Sequence, residues 1–123
     1  MTTAEIHRNE AIRYSRDLSP DFALDRGISY AVKVLRDGGV ETYESCQGGS
    51  GHSFHEPTVR FCGGPAAGYQ AASIAVAHGL PVSSLRRFWR FLDSELEGPN
   101  WEITFDAVAL KALQRRAEKE SRI

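Results

Sequence analysis

The sequence predicts an α+β fold: a single domain in which a four-stranded antiparallel sheet, made of two hairpins, carries helices packed on one face. Three observations predict it. Thr58–Cys62 (TVRFC) alternates with the period of a strand, and Val40–Cys46 upstream is rich in β-branched and aromatic residues. Leu24, Ile28, Ala31, Val32 and Leu35 recur at helical spacing. Two strand pairs flank an alanine-rich helix, an order that closes an antiparallel sheet with helices on one side.

Residues 1–18 read as a weakly structured N-terminal arm or helix, with a thin stripe of Ile6, Ile12 and Leu18. The domain proper spans 19–123. Ser19-Pro20 suits a helix start, because serine caps and proline fits the first turn. Gly38-Gly39 supplies the stop, and Gly27 weakens the interior. Val40–Cys46 is then a strand, Gln47–Pro57 a loop and Thr58–Cys62 a second strand. Val59 and Phe61 should face the core, with Thr58, Arg60 and Cys62 on the other side.

Gly63-Gly64-Pro65 opens a helix over Ala66–His78, with Tyr69, Ala72, Val76 and Leu80 on one stripe. Leu85–Asp93 (LRRFWRFLD) is open between helix and strand. Its aromatic content and the turn-like Glu97-Gly98-Pro99-Asn100 favour a strand paired with Trp101–Phe105. Asp106 can cap a last helix, with Val108, Ala112 and Leu113 on its apolar side. Arg115, Arg116, Lys119 and Arg122 alternate with Glu118 and Glu120, the pattern of a solvated helix end.

A chain of 123 residues fits one domain with a core of its own. With 15 basic and 16 acidic residues the formal net charge is -1, which does not favour a nucleic-acid partner, although local patches leave one open. No run of eighteen apolar residues is present, and Met1–Pro20 lacks the apolar stretch of a secretory signal. The expectation is a cytoplasmic protein with no membrane partner. Cys46 and Cys62 are too few for a disulfide framework and are expected to be reduced.

Chemistry concentrates in the loop. Three glycines in four positions, Gly48, Gly49 and Gly51, allow unusual backbone angles and close approach of a ligand. With Ser45, Ser50 and Ser53 they could cradle a phosphate or another anion, though no Walker-type lysine follows. Cys46, His52, His55 and Cys62 are zinc-type ligands. Antiparallel pairing of the flanking strands would put Cys62 roughly 13 Å from Cys46, so one ion cannot take both. A reduced set of Cys46, His52 and His55, with Glu56, stays open. Cys46 could also act as a nucleophile with His52 or His55 as its base, but no third orienting group is evident. Arg86, Arg87 and Arg90 interleave with Phe88, Trp89 and Phe91, a pattern that suits a nucleotide base plus phosphate. Arg60 on the neighbouring hairpin could join them. The competing reading is a sheet whose arginines reach solvent.

The segment Val40–Phe61, VETYESCQGGSGHSFHEPTVRF, resembles a family of short uncharacterised bacterial and prophage proteins. Leu80–Arg87 (LPVSSLRR) and Gly98–Phe105 (GPNWEITF) resemble the same family, so the likeness spans most of Ile28–Phe105. It implies a mobile-element context and no particular chemistry. Ser45-Cys46-Gln47-Gly48 also resembles the Ser-Cys-x-Gly turn of the tRNA-wybutosine methyltransferase family, whose other motifs are missing here.

The expectation is therefore a small non-enzymatic binding protein, of the kind phages use for counter-defence: anti-CRISPR-like, or sequestering a nucleotide. Its partner would be a host protein complex or a small anionic or nucleotide ligand, with no cofactor. The ligand site would combine Ser45, Cys46, Gly48, Gly49, Ser50, Gly51, His52 and His55 with Arg60, Arg86 and Arg90. Two alternatives stand beside it. One is a small enzyme acting on RNA or a nucleotide through Cys46, His52 and His55; the other is a small zinc-binding structural domain. An exposed edge strand would also allow a homo-oligomer.

Overall fold

The computed structural model describes residues 25–52 and 54–120. The expected arm over 1–18, the helix start at Ser19-Pro20, Leu24, Ser53 and Arg122 lie outside the described residues. A 3-10 turn at Arg26–Ile28 leads into α1 (Ser29–Asp37), followed by β1 (Glu41–Cys46), β2 (Thr58–Cys62), α2 (Pro65–Ala77), β3 (Val82–Leu92), β4 (Glu95–Phe105) and α3 (Ala107–Glu120). The strands form one antiparallel sheet in the order β1-β2-β4-β3. This is the expected α+β architecture: two hairpins, joined where β2 pairs with β4.

The core lies between the helices and one sheet face. Val59 and Phe61 of β2 and Ile103 and Phe105 of β4 are fully buried against Ile28, Ala31, Val32 and Leu35. Phe61 and Trp101 stack with centroids 6.2 Å apart. α1 has no side-chain cap of its own. Gln114 of α3 serves instead: its Oε1 accepts the Tyr30 N–H at 2.9 Å, and its Nε2 donates to Ser29 Oγ. A buried glutamine thus satisfies an orphan donor at another helix's first turn.

α2 is rotated from its expected face, and α3 departs from its own in part. On α2 the buried positions are Gly68, Ala71 and Ala75, whereas Tyr69 and Val76 are exposed. The helix is apolar on several sides, so side-chain size decides which side meets the sheet. Only small residues fit over Trp101. On α3, Leu110 and Gln114 are buried and Leu113 packs against the core as expected, whereas Val108 and Ala112 are exposed. Asp106 caps that helix as expected, accepting the Ala109 N–H at 2.9 Å.

The β3–β4 turn is also displaced. Asp93 and Ser94 form it, both with positive φ (51° and 65°), as a two-residue hairpin turn requires. Glu97–Asn100 lies within β4 instead, at a register shift opposite Phe88–Arg90. Pro99 has no N–H to give the ladder, so the strand bulges there rather than turning.

The sheet face opposite the helices carries charge in register. Glu44, Arg60, Glu102 and Arg86 stand side by side across β1, β2, β4 and β3. Arg60 bonds Glu44 at 3.0 Å and Glu102 at 3.4 Å, and Arg86 bonds the other Glu102 oxygen. The Arg60 guanidinium lies over the rings of both Phe54 and Phe88. Further along, Arg90 faces Glu97 at 3.7 Å and the Tyr43 ring. Burial raises the Tyr43 phenol pKa above its ordinary value, and nearby Arg90 opposes the shift.

Candidate functional site

The Gln47–Pro57 loop is closed at its base and open at its tip. Gly48 has φ +81°, and a Cβ there would sit 2.5 Å from the Glu56 carbonyl carbon and 2.6 Å from the Pro57 nitrogen. Only glycine lets the two ends of the loop meet. The Gly49 N–H donates to the His55 carbonyl at 2.9 Å, and the His52 N–H to the Gly49 carbonyl. The Gly48 N–H points to Cys46 Sγ at 3.5 Å. The amides of Gly48, Gly49 and His52 therefore hold the loop's own shape. Those of Ser50 and Gly51, at the exposed tip, make no such bond among the described residues.

Beneath the loop, Gln47 organises a polar cluster. Its backbone N–H donates to Asp25 Oδ2 at 3.0 Å, and its Oε1 accepts the Gly27 N–H at 3.0 Å. With the oxygen so fixed, the amide nitrogen faces His52 Nε2 at 3.2 Å as donor. His52 Nδ1 then carries the proton and faces Asp25 Oδ2 at 3.5 Å. Cys46 Sγ, a His52 ring nitrogen and an Asp25 oxygen all lie within 4.8 Å of one another. Cys46 is buried, with 6% of its surface exposed. Asp25 is thus the third group that the sequence did not reveal beside Cys46 and His52.

On the loop's other side lies a cleft of about 410 Å³ against α3 and the 3-10 turn. Gly48, Gly49 and His55 form one wall; Arg26, Lys111 and Arg115 supply cations. Arg26 is held by Glu118 at 2.9 Å, and that hydrogen bond raises its pKa. Lys111 and Arg115, one helical turn apart, have no ion-pair partner among the described residues. A second cleft of about 680 Å³ beside α1 also holds Lys33 and Arg36. Lys33 is paired with Asp37 and Arg36 donates to the neutral Thr42 hydroxyl, and the carboxylates of Asp37, Glu118 and Glu120 on the same lining offset both cations.

The expected site residues thus divide among three places. Gly48, Gly49 and His55 line the cleft; Cys46 and His52 join Asp25; Ser50 and Gly51 form the tip. Ser45 pairs with Val59, on the core side of β1, away from Cys46. Arg60, Arg86 and Arg90 sit on the far sheet face against Glu44, Glu102 and Glu97 rather than in the cleft. Cys62 pairs in register with Glu41 and Cys46 with Thr58, so the two thiols stand at opposite ends of the hairpin. Arg26, Lys111 and Arg115 carried no sequence signal beyond a mixed-charge helix, because only the fold brings them to the loop. Comparison of the chain with family models, with curated proteins and with solved structures finds no match.

Proposed function

We propose that this chain is a small non-enzymatic binding protein that takes a phosphate-bearing small molecule, of nucleotide size, into the cleft between the Gly48–Gly49 wall and α3. The observation that carries the reading is the pair Lys111 and Arg115, which face the glycine wall with no carboxylate partner among the described residues. A cleft of about 410 Å³ is of small-molecule size. Cationic side chains rather than loop amides would neutralise the ligand, since those of Gly48, Gly49 and His52 already close the loop. The buried Cys46 thiol favours holding a ligand over transforming it. Sequestration of a signalling nucleotide, as by a phage counter-defence factor, is the biological role this reading fits best.

Calorimetric titration of the full chain with inorganic phosphate, AMP, ATP and a cyclic dinucleotide tests it. At ligand concentrations about 100 times Kd, binding should add about 2.7 kcal/mol to stability, read as a rise in Tm. Lys111→Glu and Arg115→Glu should each weaken binding by about tenfold, the loss of one charge-assisted contact. Arg86→Glu, on the far sheet face, should not. No binding of any of the four ligands at millimolar concentration, or binding indifferent to both reversals at the cleft, refutes the proposal. Capture of a host protein complex by the chain, unaffected by those reversals, would refute it in favour of a macromolecular partner.

A further inference from the structure

We propose that Asp25, Cys46 and His52 form a zinc-binding site with three protein ligands and one open position. The proposal stands apart from the cleft, because its donors lie beneath the loop and it needs no anion.

The donor set comes first. A thiolate, an imidazole and a carboxylate together suit zinc and disfavour magnesium or calcium, which take oxygen ligands. Spacing comes second. Zinc bonds of about 2.0–2.1 Å to nitrogen and oxygen put two such ligands roughly 3.3 Å apart across a tetrahedron. His52 Nδ1 and Asp25 Oδ2 are 3.5 Å apart, long for a hydrogen bond and close to that edge. All three donor atoms fit within 4.8 Å, so closure on an ion takes about an ångström of side-chain movement. Gly49 and Gly51, just before His52, stand in open space, where an added Cβ would meet no atom within 4 Å, so the loop has room to follow that movement.

The surroundings support the same assignment. Metal-bound carboxylates and thiolates are commonly held by outer hydrogen bonds. Here the Gln47 N–H donates to Asp25 Oδ2 and the Gly48 N–H to Cys46 Sγ. Both hydrogen bonds fix the position of a proposed ligand atom. His55, an alternative ligand by sequence, lines the cleft on the other side of the loop, and Asp25 replaces it.

Binding has a definite proton balance. The Cys46 thiol releases one proton to the solvent as its sulfur takes the ion. The His52 proton moves from Nδ1 to Nε2, so that Nδ1 can donate its lone pair. The Gln47 amide must then turn its oxygen toward His52 and give up the Gly27 N–H. A carboxylate in its place would accept from both at once. Gln47→Glu therefore predicts tighter binding, by about tenfold, the lower end of outer-ligand effects.

The experiment is a zinc titration of the chelator-treated full chain against a chromophoric competitor, repeated with cobalt(II) for its spectrum. One zinc per chain, one proton released and a thiolate-to-cobalt charge-transfer band are expected. Cys46→Ser should abolish the band, and Asp25→Asn and His52→Ala should each weaken zinc at least tenfold. Asn keeps the oxygen that the Gln47 N–H needs, so Asp25→Asn should keep the metal-free Tm; His52→Ala gives up the Gln47 contact, so its zinc loss is read against its own metal-free Tm. Absence of stoichiometric zinc binding overturns the proposal. So does zinc binding indifferent to Cys46→Ser and His52→Ala, which places the ion elsewhere. A Gln47→Glu variant that binds zinc no tighter overturns the assigned ligand atom.

Discussion

Gly68→Ala should destabilise this protein even though alanine is the better helix former. Gly68 is the fourth residue of α2 and lies directly over Trp101. A Cβ there would sit 2.4 Å from Cη2, 2.5 Å from Cζ3 and 2.7 Å from Cζ2 of the indole. The ring has little freedom to yield. It stacks on Phe61, its Nε1 donates to the Gly64 carbonyl at 3.1 Å, and Arg87 lies 5.0 Å from its centroid. Restoring ordinary contact means lifting the helix from the sheet by about 1 Å, an overpacking that costs about 1–3 kcal/mol. Helix propensity returns about 1 kcal/mol. The expected net loss is about 1 kcal/mol, or about 4 °C in Tm for a domain of this size. Urea unfolding followed by tryptophan fluorescence, with calorimetry beside it, measures it. The decisive comparison is a double-mutant cycle with Trp101→Leu, which removes the ring edge. In that background Gly68→Ala should be neutral or stabilising. If Gly68→Ala raises stability with Trp101 in place, close packing does not set the face of α2.

Three further outcomes follow from single contacts. Gln114→Ala leaves the Tyr30 N–H without its acceptor and should cost about 1–2 kcal/mol in urea unfolding; a loss under about 0.5 kcal/mol would mean that α1 does not need the distant cap. Glu102→Gln should cost about 1–3 kcal/mol, less than a fully buried pair because Arg86 is 68% exposed and its charge can be hydrated. Most of that loss should persist in 1 M salt, where the Debye length is about 3 Å, because the Glu102 side chain is only 3% exposed; a loss that salt erases would place the carboxylate in solvent. Burial raises the Tyr43 pKa, so its neutral form is the one the fold favours. Stability from this group is complete below the ordinary tyrosine range and is lost as pH rises through that range toward the higher folded value. Tyr43→Phe should flatten that alkaline decline in urea midpoints, and an unchanged decline would assign it to another group.

The sequence disclosed the parts of the fold that rest on period and lost those that rest on size. Ile28, Ala31, Val32 and Leu35 are buried as their helical spacing requires, and Thr58–Cys62 is a strand with Val59 and Phe61 inward. The stripe of α2 misled because alanine and glycine give it no single apolar side. Contact with Trp101 selects the smallest residues and turns Tyr69 and Val76 outward. Gly98-Pro99 signals a break in regular hydrogen bonding, but a bulge and a turn both use that signal. The arginine–aromatic pattern of β3 had the same defect. Nothing local in LRRFWRFL announces that Glu102 and Glu97 lie opposite Arg86 and Arg90 on the paired strand.

For the site, residues near in sequence were legible and their partners were not. Cys46, Gly48, His52 and His55 stand within one loop, but Asp25 and Arg26 come from a turn twenty residues earlier, and Lys111 and Arg115 from the last helix. Gln47 explains why these groups meet. Its backbone N–H reaches Asp25, its side chain spans Gly27 and His52, and its neighbour Gly48 pinches the loop shut. One residue therefore fixes the 3-10 turn to the loop and forms part of the cleft wall. The proposed metal cluster and the proposed anion cleft lie on opposite sides of the same short segment. The glycines of the loop thus divide in role: Gly48 closes its base, where a Cβ would meet the Glu56–Pro57 backbone, and Gly49 and Gly51 leave its tip open.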